Sequence, residues 1–117
     1  MCDSLKMPHR KKISIYYGLS QGYLALRDYE QCDYYSELAG KNYADMFPDE
    51  KHFYLNNRGN SYYYRGDYST AIGYFRKVVE LVKDYPDMSW ALNLSYLNLS
   101  DCFLQLNKTD SVVKYLE

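Results

Sequence analysis

"SYYYRGDYSTAIGYFRKVVEL", residues 61–81, holds three consecutive tyrosines, a glycine-aspartate step and then an apolar run at helical spacing. Upstream, Leu55, Gly59 and Tyr62 lie four and three residues apart, which places them on one helix face. Arg65-Gly66-Asp67 breaks the pattern. Glycine tolerates the left-handed backbone that ends a helix, and aspartate accepts from the free amides that open the next one. Beyond the turn, Ala71, Phe75, Val78, Val79 and Val82 again recur at three and four. The stretch reads as two helices joined by a tight turn, with Tyr62 on the packing face and Tyr63 and Tyr64 rotated onto the next face.

The same pattern recurs along the chain. "YEQCDYYSELA" (residues 29–39) follows Leu26-Arg27-Asp28, and "DSVVKYLE" (residues 110–117) follows "LNKT". Tyr29 aligns with Tyr68, 39 positions on, and Ala71 aligns with Val112, 41 positions on. Such periods mark stacked repeats. Pro48-Asp49 and Pro86-Asp87 punctuate the units, proline ending one helix and aspartate capping the next. No stretch alternates with period two for long enough to form a strand. The expected helices are about 12–26, 30–46, 50–65, 68–84, 87–106 and 109–117. They make one helical domain, 12–117, behind a flexible leader, 1–11. Its units are about 12–48, 49–86 and 87–117, the last cut short.

Composition narrows the function classes. A net charge of -1 with 25% charged residues gives no basic field for nucleic acid or an anionic membrane. Sixteen of the 21 aromatic residues are tyrosine, which packs its ring and keeps its hydroxyl wet, so a thin helical layer can use many. Cys2, Cys32 and Cys102 form no CxxC pair, and an odd number fits neither a zinc site nor a disulfide framework. Cys32 and Cys102 stand in apolar patterns, where cysteine acts as a small hydrophobe. The opening "MCDSLKMPHRKK" lacks the apolar core of a signal peptide, and no run is long enough to span a membrane. Three unpaired cysteines lean toward a reducing, cytoplasmic setting. A periplasmic place within a longer protein, or a lipid-attached N-terminus at Cys2, is also compatible with the sequence.

These residues resemble the tetratricopeptide repeat. That pattern runs large apolar, small, aromatic on a first helix, then a Gly-Asp-Tyr-like turn, then small and aromatic on a second helix. The middle unit carries Leu55, Gly59, Tyr62, Gly66-Asp67-Tyr68, Ala71, Phe75 and Pro86. The first carries Tyr16, Leu19, Ser20, Tyr23, Asp28-Tyr29, Cys32 and Ala39; it departs at Arg27, where glycine is usual, and at Ser36, where an aromatic is usual. The third carries Tyr96, Leu99, Ser100, Phe103 and Val112, with Asn107 in the turn position. The resemblance implies an all-α fold: an α-solenoid of stacked antiparallel helix pairs, about three repeats. Tyr23, Gly59, Tyr62, Gly66, Ala71, Phe75 and Phe103 would be its structural positions. Gly59, Ser20 and Ser100 would let paired helices approach, the aromatic three residues later filling the wedge.

In stacked helix pairs the first helices line a concave face. The facing residues are then Ser14, Tyr17, Gln21 and Leu24 from the first unit, Phe53, Asn56, Asn60, Tyr63 and Tyr64 from the second, and Leu94, Leu97, Asp101 and Gln105 from the third. Of these, Tyr17, Gln21, Phe53, Asn56, Asn60, Tyr63, Tyr64 and Asp101 form the expected partner-binding groove. Its amides would pair with an extended peptide backbone while rings stack on side chains. The alternative use of the same strip is packing against a neighbouring helix or repeat. Some tetratricopeptide domains clamp a C-terminal carboxylate with Lys and Asn; here Arg58 and Arg65 fall off the groove face.

The leading expectation is a protein-interaction scaffold that binds a peptide, a partner protein or a second copy of itself. It is also loosely similar to the sensory input regions of bacterial signalling proteins. Two other classes stand beside it: a small-molecule sensor walled by Tyr17, Tyr63, Tyr64 and Trp90, and a structural segment that self-associates through its last helix. No catalytic or metal-ligating constellation is present, and no cofactor is implied. His9 and His52 stand 43 residues apart and read as surface residues, "HRKK" as a solvated leader, and Asp45, Asp49 and Glu50 as helix-terminus charge. The Asn-x-Ser/Thr triplets at Asn93 and Asn98 fall inside a helix, which disfavours a glycan there; with the triplet at Asn107 they read as chance.

Overall fold

The structure, a computed structural model, describes the backbone of residues 9–41 and 43–116 and the side chains of 12, 14–41 and 43–108. Five α-helices follow in order: α1 (His9–Ala25), α2 (Tyr29–Gly40), α3 (Pro48–Tyr64), α4 (Tyr68–Val82) and α5 (Ser89–Leu116). Short 3-10 turns at Tyr43–Asp45 and Pro86–Met88 precede α3 and α5. The described residues contain no strand, so the fold is all-α with adjacent helices packed in pairs. Two compact units divide the chain, Met1–Asn57 and Arg58–Glu117.

In the first unit α1 packs against α2. The turn between them is a Schellman closure: the Asp28 amide donates to Tyr23 O (2.9 Å) and the Arg27 amide to Leu24 O (2.9 Å). Asp28 then caps α2, its side chain accepting from the Gln31 amide at 3.2 Å. The second unit repeats this 39 residues later. Asp67 N donates to Tyr62 O, Gly66 N donates to Tyr63 O, and Asp67 caps α4 through the Thr70 amide. A stacked tyrosine pair crosses each hairpin, Tyr23 on Tyr35 and Tyr62 on Tyr74, both with centroids 5.7 Å apart.

The two turns differ in one residue that matters. Gly66 sits at φ +84°, and Arg27 holds the equivalent left-handed position at φ 60°. An L-residue there carries about 1–2 kcal/mol of strain, while a glycine loosens the unfolded chain by about 0.4–1 kcal/mol. Arg27→Gly is therefore expected to raise stability by about 0.5 kcal/mol, and Gly66→Ala to lower it by about 1 kcal/mol. Urea midpoints of the two variants measure both.

Small residues and one aromatic make the second unit's core. Ala71, Ile72, Phe75 and Cys102 are buried together, with Tyr62, Tyr63, Tyr68, Leu99 and Leu106 packed against them. Gly59 on α3 lies so close to Phe75 that a Cβ there would stand 2.6 Å from the ring edge. Ala71 and Phe75 are both buried beside it. Cys32 and Cys102 are fully buried thiols outside any disulfide, Cys102 within the apolar core and Cys32 with its sulfur 3.7 Å from Ser20 Oγ.

Four expectations change. The third unit is not a helix pair, because α5 runs unbroken for 28 residues through Asn107-Lys108-Thr109-Asp110. That segment has neither glycine nor proline, so nothing obliges the helix to stop; the role given to Val112 lies outside the described side chains. Along α5 the buried small residues are Ala91, Ser95 and Cys102, while Ser100 is exposed and Phe103 is 44% exposed under the Arg76 guanidinium. Ser95 closes on its own helix by donating to Ala91 O at 2.9 Å. The small-residue register is therefore five positions earlier than the one expected at Ser100. The helix expected over 30–46 ends at Gly40, and α1 begins at His9; residues 1–8 of the leader lie outside the described residues.

The fourth change is His52, which is 1% exposed rather than on the surface, its ring 5.4 Å edge-on from Phe53. Burial lowers its pKa below the ordinary histidine value. The unfolded chain therefore takes up a proton near pH 6.5 that the folded chain still refuses. Stability is present in full above that pH and declines as pH falls toward the depressed folded value. His52→Phe is expected to flatten the fall in melting temperature between pH 7 and pH 5; an unchanged slope would remove His52 as its source.

Candidate functional site

Shallow depressions lie within each unit, lined mainly by α1 and α3 in the first and by α3 and α5 in the second. In the second unit α3 supplies Asn60, Tyr63 and Tyr64, α5 supplies Asn98 and Asp101, and Phe75 of α4 forms the floor, around about 90 Å³. Asn60, Tyr63 and Tyr64 fall at i, i+3 and i+4 on α3, and Asn98 and Asp101 at i and i+3 on α5. Helical spacing alone therefore aims each set at one place.

One hydrogen bond organises that depression. The Tyr63 hydroxyl donates to Asp101 Oδ2 at 2.7 Å. That bond, with burial and the carboxylate's charge, pushes the Tyr63 phenol up to about 12, so it stays a donor throughout the physiological range. The ring is fixed on its other sides by edge-on contacts to Tyr64 (5.5 Å) and Tyr68 (5.3 Å). Tyr64 itself is 59% exposed and forms the outer wall.

Three cations of this unit are engaged elsewhere. Arg65 donates to Ser61 Oγ at 2.8 Å and lies 4.6 Å from the Tyr62 ring centre. Arg58 lies over both Tyr62 and Tyr74, and Lys77 over Tyr74. The Tyr62–Tyr74 stack is thus covered by positive charge, an arrangement that favours the ring faces electrostatically. No lysine or arginine lines the Asp101 depression.

The first unit's depression is wider, about 290 Å³, lined by Ser14, Tyr17, Gly18, Gln21 and Phe53. Tyr17 closes it at one side by donating to the Glu50 carbonyl at 2.8 Å. Burial, with the nearby Tyr54 and Glu50, raises its phenol well above the ordinary value, so Tyr17 is a permanent donor. Glu50 in turn opens α3, its Oε1 accepting from the Phe47 amide at 2.9 Å. The carboxylates flanking Pro48 act here as helix-terminus groups.

The sequence-predicted groove residues therefore divide. Tyr17, Gln21 and Phe53 meet in one depression, and Asn60, Tyr63, Tyr64 and Asp101 meet in the other. Asn56, Leu24, Leu94, Leu97 and Trp90 line neither. Asn98, which the sequence offers only as part of an Asn-x-Ser triplet, lies three residues before Asp101 and so on the same side of α5. Among the described residues, no His, Cys, Asp and Glu group is gathered closely enough to hold a metal ion, and no helix is long and apolar enough to cross a membrane.

Paired antiparallel helices, a glycine facing an aromatic at the crossing, and a Gly-Asp-Tyr turn between them define a helical-repeat unit. Residues 53–85 match the family model described as tetratricopeptide repeat, and this stretch of the chain is such a repeat. No curated protein and no solved structure matches the chain.

Proposed function

We propose that the protein is a peptide-binding interaction module whose working surface is the Asn60–Tyr63–Tyr64–Asn98–Asp101 depression. Tetratricopeptide repeats generally mediate protein–protein interactions. The observation that carries the finer reading is the fixed Tyr63–Asp101 pair beside the Asn60 amide, which makes no side-chain hydrogen bond within the described residues. A preorganised ring and carboxylate next to an uncommitted amide suit an extended segment, which loses little entropy against a rigid surface. As the input segment of a larger regulatory protein, such a module would pass partner occupancy to an output domain.

The volume argues against the small-molecule alternative. About 90 Å³ is well below the roughly 300 Å³ at which small-molecule sites begin. The 290 Å³ hollow around Tyr17 only reaches that edge, and Trp90 borders neither. Selection of binders from a displayed random decapeptide library, followed by Tyr64→Ser in the chain, tests the proposal. Tyr64 is largely exposed, so its loss should spare the fold while weakening the selected peptides about tenfold, in line with about 1–2 kcal/mol for an interface tyrosine. Binding that survives Tyr64→Ser would move the surface elsewhere.

A second reading, self-association through α5, draws on Trp90, Leu97 and Leu104, which are 50%, 69% and 51% exposed. Large exposed apolar residues on one long helix are a recognised docking stripe. Light scattering across a concentration series discriminates: a monomer at all concentrations overturns this reading, and a dimer abolished by Leu97→Glu supports it.

A further inference from the structure

We propose that the depression around Asp101 takes the guanidinium of an arginine side chain carried by the bound peptide. This rests on the peptide-binding reading above and gives it a chemistry.

The polar lining offers acceptors and one negative charge. Asp101 keeps one carboxylate oxygen and part of the other for a ligand after accepting from Tyr63, and no cation among the described residues is paired with it. Asn60 adds an amide to the lining, and its carbonyl oxygen is a further acceptor within reach of a ligand there. Tyr63 and Tyr64 meet edge to face with an interplanar angle of 88°, so one ring can present its face to a group that the other ring borders. A flat cation with five N–H donors matches that set: it can bond Asp101, reach the Asn60 amide oxygen and lie against a tyrosine face.

Other occupants fit less well. A peptide carboxylate would meet Asp101 as a like charge, with no lysine or arginine in the lining to offset it. An apolar side chain would cover the Asp101 carboxylate and the Asn60 amide without offering either a hydrogen bond. A lysine ammonium meets the charge, but as a compact and strongly hydrated ion it leaves the Asn60 amide oxygen and the ring face less used. The unit already pairs this chemistry with itself, since Arg65 stacks on Tyr62 at 4.6 Å.

The same displayed library tests the assignment, because its readout is composition as well as binding. Peptides whose capture depends on Tyr64 should be enriched in arginine at one fixed position. Replacing that arginine with citrulline, which keeps the shape and loses the charge, should weaken binding tenfold or more. Asp101→Asn in the chain should do the same, and it leaves Tyr63 an acceptor, so the melting temperature should hold. Citrulline should then cost the Asp101→Asn variant much less than it costs the parent chain. Tyr64-dependent peptides that lack an arginine preference, or that bind Asp101→Asn as tightly, overturn the arginine assignment and leave the peptide surface standing. Peptides indifferent to both Tyr64 and Asp101 overturn the surface itself.

Discussion

Gly59→Leu is expected to lower the stability of the chain by about 3 kcal/mol or more, the upper end of overpacking costs. The clash has nowhere to go. A first side-chain atom at Gly59 already meets three atoms of the Phe75 ring within 2.9 Å, and that ring is 1% exposed, walled by Ala71, Ile72 and Cys102. Gly59→Ala separates the two opposing terms. Alanine improves the helix by about 1 kcal/mol over glycine, against an overpacking cost of about 1–3 kcal/mol, so the expected net change is a loss of up to about 2 kcal/mol. Phe75→Ala alone should cost about 3–5 kcal/mol through the cavity it leaves. Together the alanine substitutions should cost clearly less than their sum, because the second removes what the first collides with. Strict additivity in urea or thermal unfolding would mean that Phe75 can swing aside, and the steric account of this crossing would fail.

That crossing also marks how far the sequence could be read. The 39-residue period placed both turns, both aspartate caps and both small residues of the helix crossings, because each rests on a local rule: left-handed backbone, amide capping or side-chain volume. Even Arg27 was visible as a departure, although its backbone strain was not. The third unit failed where local rules were silent. Ser95 and Ser100 both lie in an apolar stretch with an aromatic three or one residue on, and only packing against α4 selects Ser95. The turn imagined at Asn107 lacked a glycine, and a helix with no stop signal simply continued. His52 was misread for a related reason: one polar residue in a helix carries no mark of the face it will bury. Of the second depression, helical rotation alone groups Asn60, Tyr63 and Tyr64, but the same rotation includes Asn56, which lines neither depression. The Asn98 contribution needed the right rotation of α5, and the division into two depressions needed coordinates.

Asn57→Leu is expected to cost about 1–3 kcal/mol, the penalty for stranding buried hydrogen-bonding groups. The first unit solves its helix crossing differently from the second. Where Gly59 faces Phe75, the equivalent pair is Ser20 and Ser36, both fully buried, their hydroxyls bonded at 2.8 Å. Two small side chains leave room, and the Asn57 carboxamide fills it, donating to Ser20 Oγ and, at 3.3 Å, to Ser36 Oγ. The amide supplies donors to two buried oxygens that otherwise pair with each other and, at 3.7 Å from Ser20, with Cys32 Sγ. Leucine has nearly the same bulk and no donor, so the loss it causes reports polarity more than volume. The triple variant Ser20→Ala, Ser36→Ala, Asn57→Leu makes the site wholly apolar and should recover most of that loss, since removing all partners together is close to neutral. If Asn57→Leu proves as stable as the parent chain, the network adds nothing to stability. If the triple variant is worse than Asn57→Leu alone, the serines contribute through packing that alanine does not replace.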